Sequence, residues 1–125
     1  MQLRDSIPSI IYPGHWGFFA GHCQENENAE AALNRELFEE LCWEPKGVSY
    51  LGNMLIDKRQ VHVHECHLDC SVNELILQEG QEIGVFNKNE IAEKKLYSNI
   101  LNKKFPISPI SQKVFELFIL KESDA

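Results

Sequence analysis

Residues 29–41, Ala-Glu-Ala-Ala-Leu-Asn-Arg-Glu-Leu-Phe-Glu-Glu-Leu, contain neither glycine nor proline and are mostly strong helix formers. They predict a helix from Ala29 to about Leu41, the most tightly constrained element of the chain. On that helix Leu33, Leu37 and Leu41 form an apolar stripe, and Glu36, Glu39 and Glu40 project beside it at i, i+3 and i+4. An ordinary two-sided helix turns its leucines inward and its glutamates to water. Two features resist that reading. The like-charged i,i+4 pair Glu36/Glu40 costs about 0.2–0.5 kcal/mol with no lysine in the segment to offset it, and Glu39 and Glu40 sit near the negative end of the helix dipole. A divalent cation that prefers hard oxygen ligands, Mg2+ or Mn2+, would turn both costs into attraction.

A chain of 125 residues, 43% hydrophobic and 25% charged, can bury one core, so residues 1–125 are expected to form a single domain. The net charge of −7 argues against a nucleic-acid polymer as partner, because such binding rests on basic residues neutralising phosphates. A small phosphorylated ligand stays open if local positive charge or a metal meets it. No apolar run approaches the roughly 20 residues that span a bilayer, and Met1 to Asp5 carries no apolar leader region. The chain is therefore expected in the cytoplasm, without a membrane partner. Cys23, Cys42, Cys66 and Cys70 are expected as free thiols, since a domain of this size does not need a disulfide framework.

The remaining pattern mixes strands and helices, which predicts an α/β domain with a mixed sheet. Gln2-Leu3-Arg4 reads as the tail of a strand, followed by a loop punctuated by Pro8, Pro13 and Gly14. Trp16 to Phe19 suits a short buried strand. Val48 to Ile56 and Gln60 to Leu68 are β-prone runs joined by a turn at Asp57-Lys58-Arg59, and Glu82 to Phe86 is another short strand. Asn89 to about Leu96 is expected as a short helix. Ser108 and Pro109 open a last helix as N-cap and first-turn proline, with Ile110, Val114, Leu117 and Phe118 on one face. In His62-Val63-His64-Glu65-Cys66-His67, and on to Cys70, the period of two separates His67 from His62, His64 and Cys66. These are read as strand residues, some within reach of a substrate, rather than as a zinc site.

Gly21, five residues, Glu27, seven residues, then Arg35-Glu36-Leu37-Phe38-Glu39-Glu40, one residue, Cys42 and Trp43: this spacing resembles the Nudix box, G-x5-E-x7-R-E-U-x-E-E-x-G-U, where U is bulky and apolar. Over residues 21–43 each specified position matches except Cys42, which stands where the family has glycine. A non-glycine residue kept in the left-handed conformation there costs about 1 kcal/mol, so an adjusted helix end before Pro45 is expected. Upstream, Trp16 to His22 resembles the family's W-x-x-P-G-G-x segment, with Phe19 in place of proline and Ala20 in place of the first glycine. Downstream, Glu79-Gly80-Gln81 resembles the E-G-Q segment of the MutT-like branch. Phe105-Pro106 is similar to a Phe-Pro segment of that branch but lacks the asparagine that follows it.

The resemblance implies an α/β/α sandwich in which this chain starts inside the second strand, leaving out the usual first. The edge so exposed would suit a homodimer. It also implies Mg2+- or Mn2+-dependent hydrolysis of a nucleoside diphosphate derivative. Glu36, Glu39 and Glu40 become metal-binding and base-forming carboxylates, Glu79 a further ligand or base with Glu82 as runner-up, and the backbone carbonyl of Ala20 a metal ligand. Gly21, Glu27 and Arg35 become supports of the box. Three functions are compatible: a nucleoside triphosphate pyrophosphohydrolase releasing monophosphate and pyrophosphate, an enzyme acting on a nucleotide sugar or similar compound, and a catalytically weak nucleotide sensor. No residue is assigned to the base or the sugar.

Overall fold

The computed structural model describes residues 1–20 and 23–123. Along the chain run β1 (Gln2–Leu3), β2 (Trp16–Gly17), α1 (Ala29–Leu41), β3 (Val48–Ile56), β4 (Arg59–Cys66), β5 (Glu82–Ile83), α2 (Lys88–Ala92), β6 (Lys95–Ser98), β7 (Lys103–Pro106) and α3 (Pro109–Ser123). The chain is thus α/β, with small sheets beside helices. Its backbone falls into two units, one made of Met1–Phe19 with Leu77–Phe115 and the other of Ala20–Ile76 with the residues from Glu116 onward.

In the first unit β1 lies between β2 and β5, antiparallel to both, and Leu3 faces Trp16 on one side and Glu82 on the other. Strands of two residues survive because burial holds them, not their few ladder bonds. Leu3, Trp16, Leu96 and Ile107 are at most 2% exposed and form one cluster, with Met1, Phe86, Ile91 and Phe105 against it. The buried indole of Trp16 keeps its polar edge satisfied by donating to the Leu96 carbonyl at 3.0 Å, and Phe86 meets it edge-on. Among the described residues a single parallel bridge, Trp16 to Ile107, stands beside otherwise antiparallel pairing.

The helix expected over residues 89–96 is shorter and earlier. Asn87 and Glu90 form a reciprocal capping box at the start of α2, the chain turns left-handed at Lys94 (φ 67°), and Leu96 enters the core from a strand instead. That strand, β6, pairs with β7 in a hairpin absent from the sequence-based expectation. The start of α3 is as expected: the Ser108 hydroxyl accepts from the Ser111 N–H at 3.3 Å, and Pro109 is the first helical residue.

The second unit contains α1 and the β3–β4 hairpin. Asp57 and Lys58, both at positive φ, form its two-residue turn, so β4 begins at Arg59 and ends at Cys66, two residues before Leu68. An irregularity between Tyr50 and Gly52 bulges β3, and the Leu117 side chain of α3 lies against Gly52. Ala32, Leu37 and Leu41 of α1, with Ile56 and Val63, are the buried hydrophobics here. Among the described residues, which include all four cysteines, there is no disulfide. No described helix is long and apolar enough to cross a membrane.

Candidate active site

The glutamate-bearing helix is pinned before it begins. Residues 24–27 make a turn in which Glu27 donates its N–H to the Gln24 carbonyl (3.1 Å), with Asn26 in the left-handed region. The Asn28 side chain then accepts the Ala31 N–H at 2.8 Å as the N-cap of α1. The Glu27 carboxylate closes the same turn by accepting the Gln24 N–H at 2.8 Å. It also receives two aligned bonds from Arg35, Nε at 2.7 Å and Nη2 at 3.0 Å. The planar guanidinium matches the carboxylate fork, which fixes direction as well as distance. Arg35 first, and the Gln24 N–H second, hold the Glu27 carboxyl below the usual carboxylate range, and the same contact pushes the guanidinium pKa up.

Arg35 does more than meet Glu27. Its Nη1 donates to Glu36 Oε1 at 2.9 Å and to Glu39 Oε2 at 3.3 Å, so two carboxylates of the stripe converge on one cationic nitrogen. Sequence reasoning noted the absence of lysine and missed this offset, although the i,i+4 spacing of Arg35 and Glu39 was the available signal. Glu40 lies differently: it is 9% exposed and buried with Leu37 and Leu41 on the inner side of α1. The stripe therefore divides into Glu36 and Glu39 around Arg35, and Glu40 at the edge of the core.

The far end of the helix turns left-handed without a glycine. Cys42 takes the left-handed conformation (φ 53°, ψ 37°) and donates its N–H to the Phe38 carbonyl at 2.9 Å. The adjusted helix end expected before Pro45 is not found; the chain bears the strain instead. Beyond it, the Trp43 indole donates to Asp69 Oδ1 at 3.0 Å and Lys46 pairs with Asp69 Oδ2 at 3.2 Å. These partners, Trp43 foremost, lower the Asp69 pKa. The Leu41 carbonyl accepts from the Ile76 N–H. Sequence reasoning did not find Asp69 as the partner of Trp43, which lies 26 residues away.

The Glu79-Gly80-Gln81 segment belongs to the first unit. Gly80 has φ +88°, and a Cβ there would lie 2.9 Å from the Leu3 carbonyl oxygen, so only glycine fits. Gln81 donates its N–H to that carbonyl at 2.7 Å and its side-chain amide to the Arg4 carbonyl at 2.8 Å. Glu79 is exposed. Glu82 is buried and committed: its carboxylate accepts from the Ser98 hydroxyl (2.5 Å) and from the N–H groups of Asn99 (3.1 Å) and Ile100 (3.3 Å). It holds the turn of the β6–β7 hairpin. Ala20 is exposed and outside regular structure; Gly21 lies outside the described residues. On the β3–β4 hairpin, Tyr50 bonds His62 Nδ1 at 3.0 Å and packs against the His64 ring.

Among the described residues, no three His, Cys, Asp or Glu side chains gather closely enough to hold a metal ion. The donor chemistry nevertheless fits a hard cation. Glu36 and Glu39 already share a positive centre, the Arg35 Nη1, and offer it only carboxylate oxygens.

Compared with known protein families, the chain matches the NUDIX domain over residues 3–106, and it belongs to that family. Membership implies a pyrophosphohydrolase acting on nucleoside diphosphate derivatives, small nucleotides that members of the family generally process with Mg2+ or Mn2+. No curated protein and no solved structure gives a significant match.

Proposed function

We propose that the chain is a MutT-like, Mg2+- or Mn2+-dependent enzyme that hydrolyses a nucleoside triphosphate to the monophosphate and pyrophosphate. The observation that carries the reading is the convergence of Glu36 and Glu39 on one cationic group, braced through Arg35 to Glu27. Glu79-Gly80-Gln81 supports the choice of branch.

A phosphoanhydride resists water because attacker and target both carry negative charge, so charge must be neutralised and the attacking oxygen aligned. When bound, the divalent ion would supply electrostatic stabilisation of the phosphate oxygens and a more acidic water. Glu36 and Glu39 would hold that ion, joined by the Ala20 carbonyl, with Glu40 of the same helical turn at the edge of the core beside them. One of these carboxylates would take the proton of the attacking water as the phosphorus–oxygen bond to pyrophosphate breaks. Glu27 and Arg35 keep Glu36 and Glu39 aimed, and so act as positioning residues.

The test is a panel of nucleoside triphosphates and nucleotide sugars with Mg2+, scoring phosphate and pyrophosphate. The expected result is pyrophosphate from a triphosphate, with Glu36→Gln and Glu40→Gln each lowering kcat by about 100-fold or more. Release of a sugar phosphate instead would identify a nucleotide-sugar enzyme. Binding of every nucleotide with no product would identify a sensor. Either outcome overturns the proposal.

A further inference from the structure

We propose that the β6–β7 hairpin docks the protein on an anionic lipid surface, its lysines meeting phosphatidylserine-type headgroups while Ile100 and Leu101 at the tip enter the interface. The net charge of −7 is not shared evenly between the two units. The unit holding the hairpin has seven Lys/Arg against five Asp/Glu, whereas the unit holding α1 has five against fourteen. The whole-chain average therefore conceals a unit of small net positive charge.

Lys94, Lys95, Lys103 and Lys104 are exposed on and beside the hairpin, and none makes an ion pair among the described residues. The register sets Tyr97 opposite Lys104, and Lys95 lies two residues before Tyr97 on the same outward face. Lys103, opposite the buried Ser98, lies on the other face and stands over the Phe105 ring at 5.0 Å. The turn between the strands carries Ile100, 64% exposed, and Leu101, 41% exposed. Exposed aliphatic side chains at the end of a hairpin are unfavourable in water, yet this turn is built firmly, since the buried Glu82 carboxylate binds the N–H groups of Asn99 and Ile100. Lysines flanking an aliphatic tip, with a tyrosine beside them, combine headgroup attraction with shallow apolar burial. A nucleic-acid backbone would engage the lysines without burying Ile100 and Leu101, whereas a lipid interface does both.

The experiment is co-sedimentation of the full chain with phosphatidylcholine vesicles with and without phosphatidylserine. Binding is expected only with phosphatidylserine, and it should weaken strongly between about 0.1 M and about 1 M salt as screening shortens. Each lysine near such a surface is worth about fivefold, so the double variant Lys95→Glu/Lys104→Glu on the outward face should lose about 25-fold or more. Lys95→Arg/Lys104→Arg should retain binding. Ile100→Ser/Leu101→Ser should weaken binding while circular dichroism stays unchanged. The proposal is overturned by absence of binding to phosphatidylserine vesicles at low salt. It is equally overturned by an Ile100→Ser/Leu101→Ser variant that binds like the parent, or by preference for a single-stranded RNA over vesicles at the same salt.

Discussion

Cys42 bears a left-handed backbone at a helix end where its Cβ meets the following carbonyl. Cys42→Gly should therefore stabilise the protein by about 1 kcal/mol, read as a higher urea midpoint at unchanged slope. A lower midpoint would mean that the cysteine side chain contributes more than the strain costs. Single residues were legible in the sequence where their partners were near. Glu27 and Arg35 could be paired on the box pattern, but Arg35 reaching Glu36 and Glu39 together depends on where one guanidinium finally points. Glu82 shows the opposite limit. As an acid beside a Glu-Gly-Gln motif it read as a spare catalytic group, and only the fold reveals that it caps a turn 16–18 residues away.

At the scale of the element, α1 is tied to its preceding turn by Glu27, and that tie is pH-dependent. The Arg35 and Gln24 contacts lower the Glu27 pKa in the folded state from its ordinary 4.5. The contact therefore stabilises fully above 4.5 and is lost as pH falls through the lower folded value. The difference in melting temperature between the parent and Glu27→Gln should be constant from neutral pH down to about 5 and then shrink. A difference that grows on acidification would refute the assigned direction. Helix α1 and the β3–β4 hairpin were readable because each has a long, uninterrupted pattern. The β6–β7 hairpin was not. Its strands have four residues each, too few for alternation to register, and Lys94 ends α2 in a left-handed turn with none of the glycine that usually marks one. Lys-Lys-Leu consequently read as more helix, although tertiary burial of Leu96 draws the segment into a strand.

For the whole molecule, a ligand that binds only the folded state raises stability by mass action, about 2.7 kcal/mol at 100 times its Kd. Mg2+ or Mn2+ should accordingly raise the melting temperature, and EDTA should reverse the rise. Glu36→Gln should blunt the response; an identical melt with and without metal would remove divalent ions from the proposed mechanism.

The chain has two tryptophans, and they sit in different units. Trp16 is fully enclosed with its indole on a backbone carbonyl, and Trp43 is half-buried beside a carboxylate. Replacing either one with phenylalanine leaves a single ultraviolet emitter, so the intrinsic fluorescence of this small protein becomes two separable channels. Comparing the temperatures at which they fade reveals whether both halves let go together.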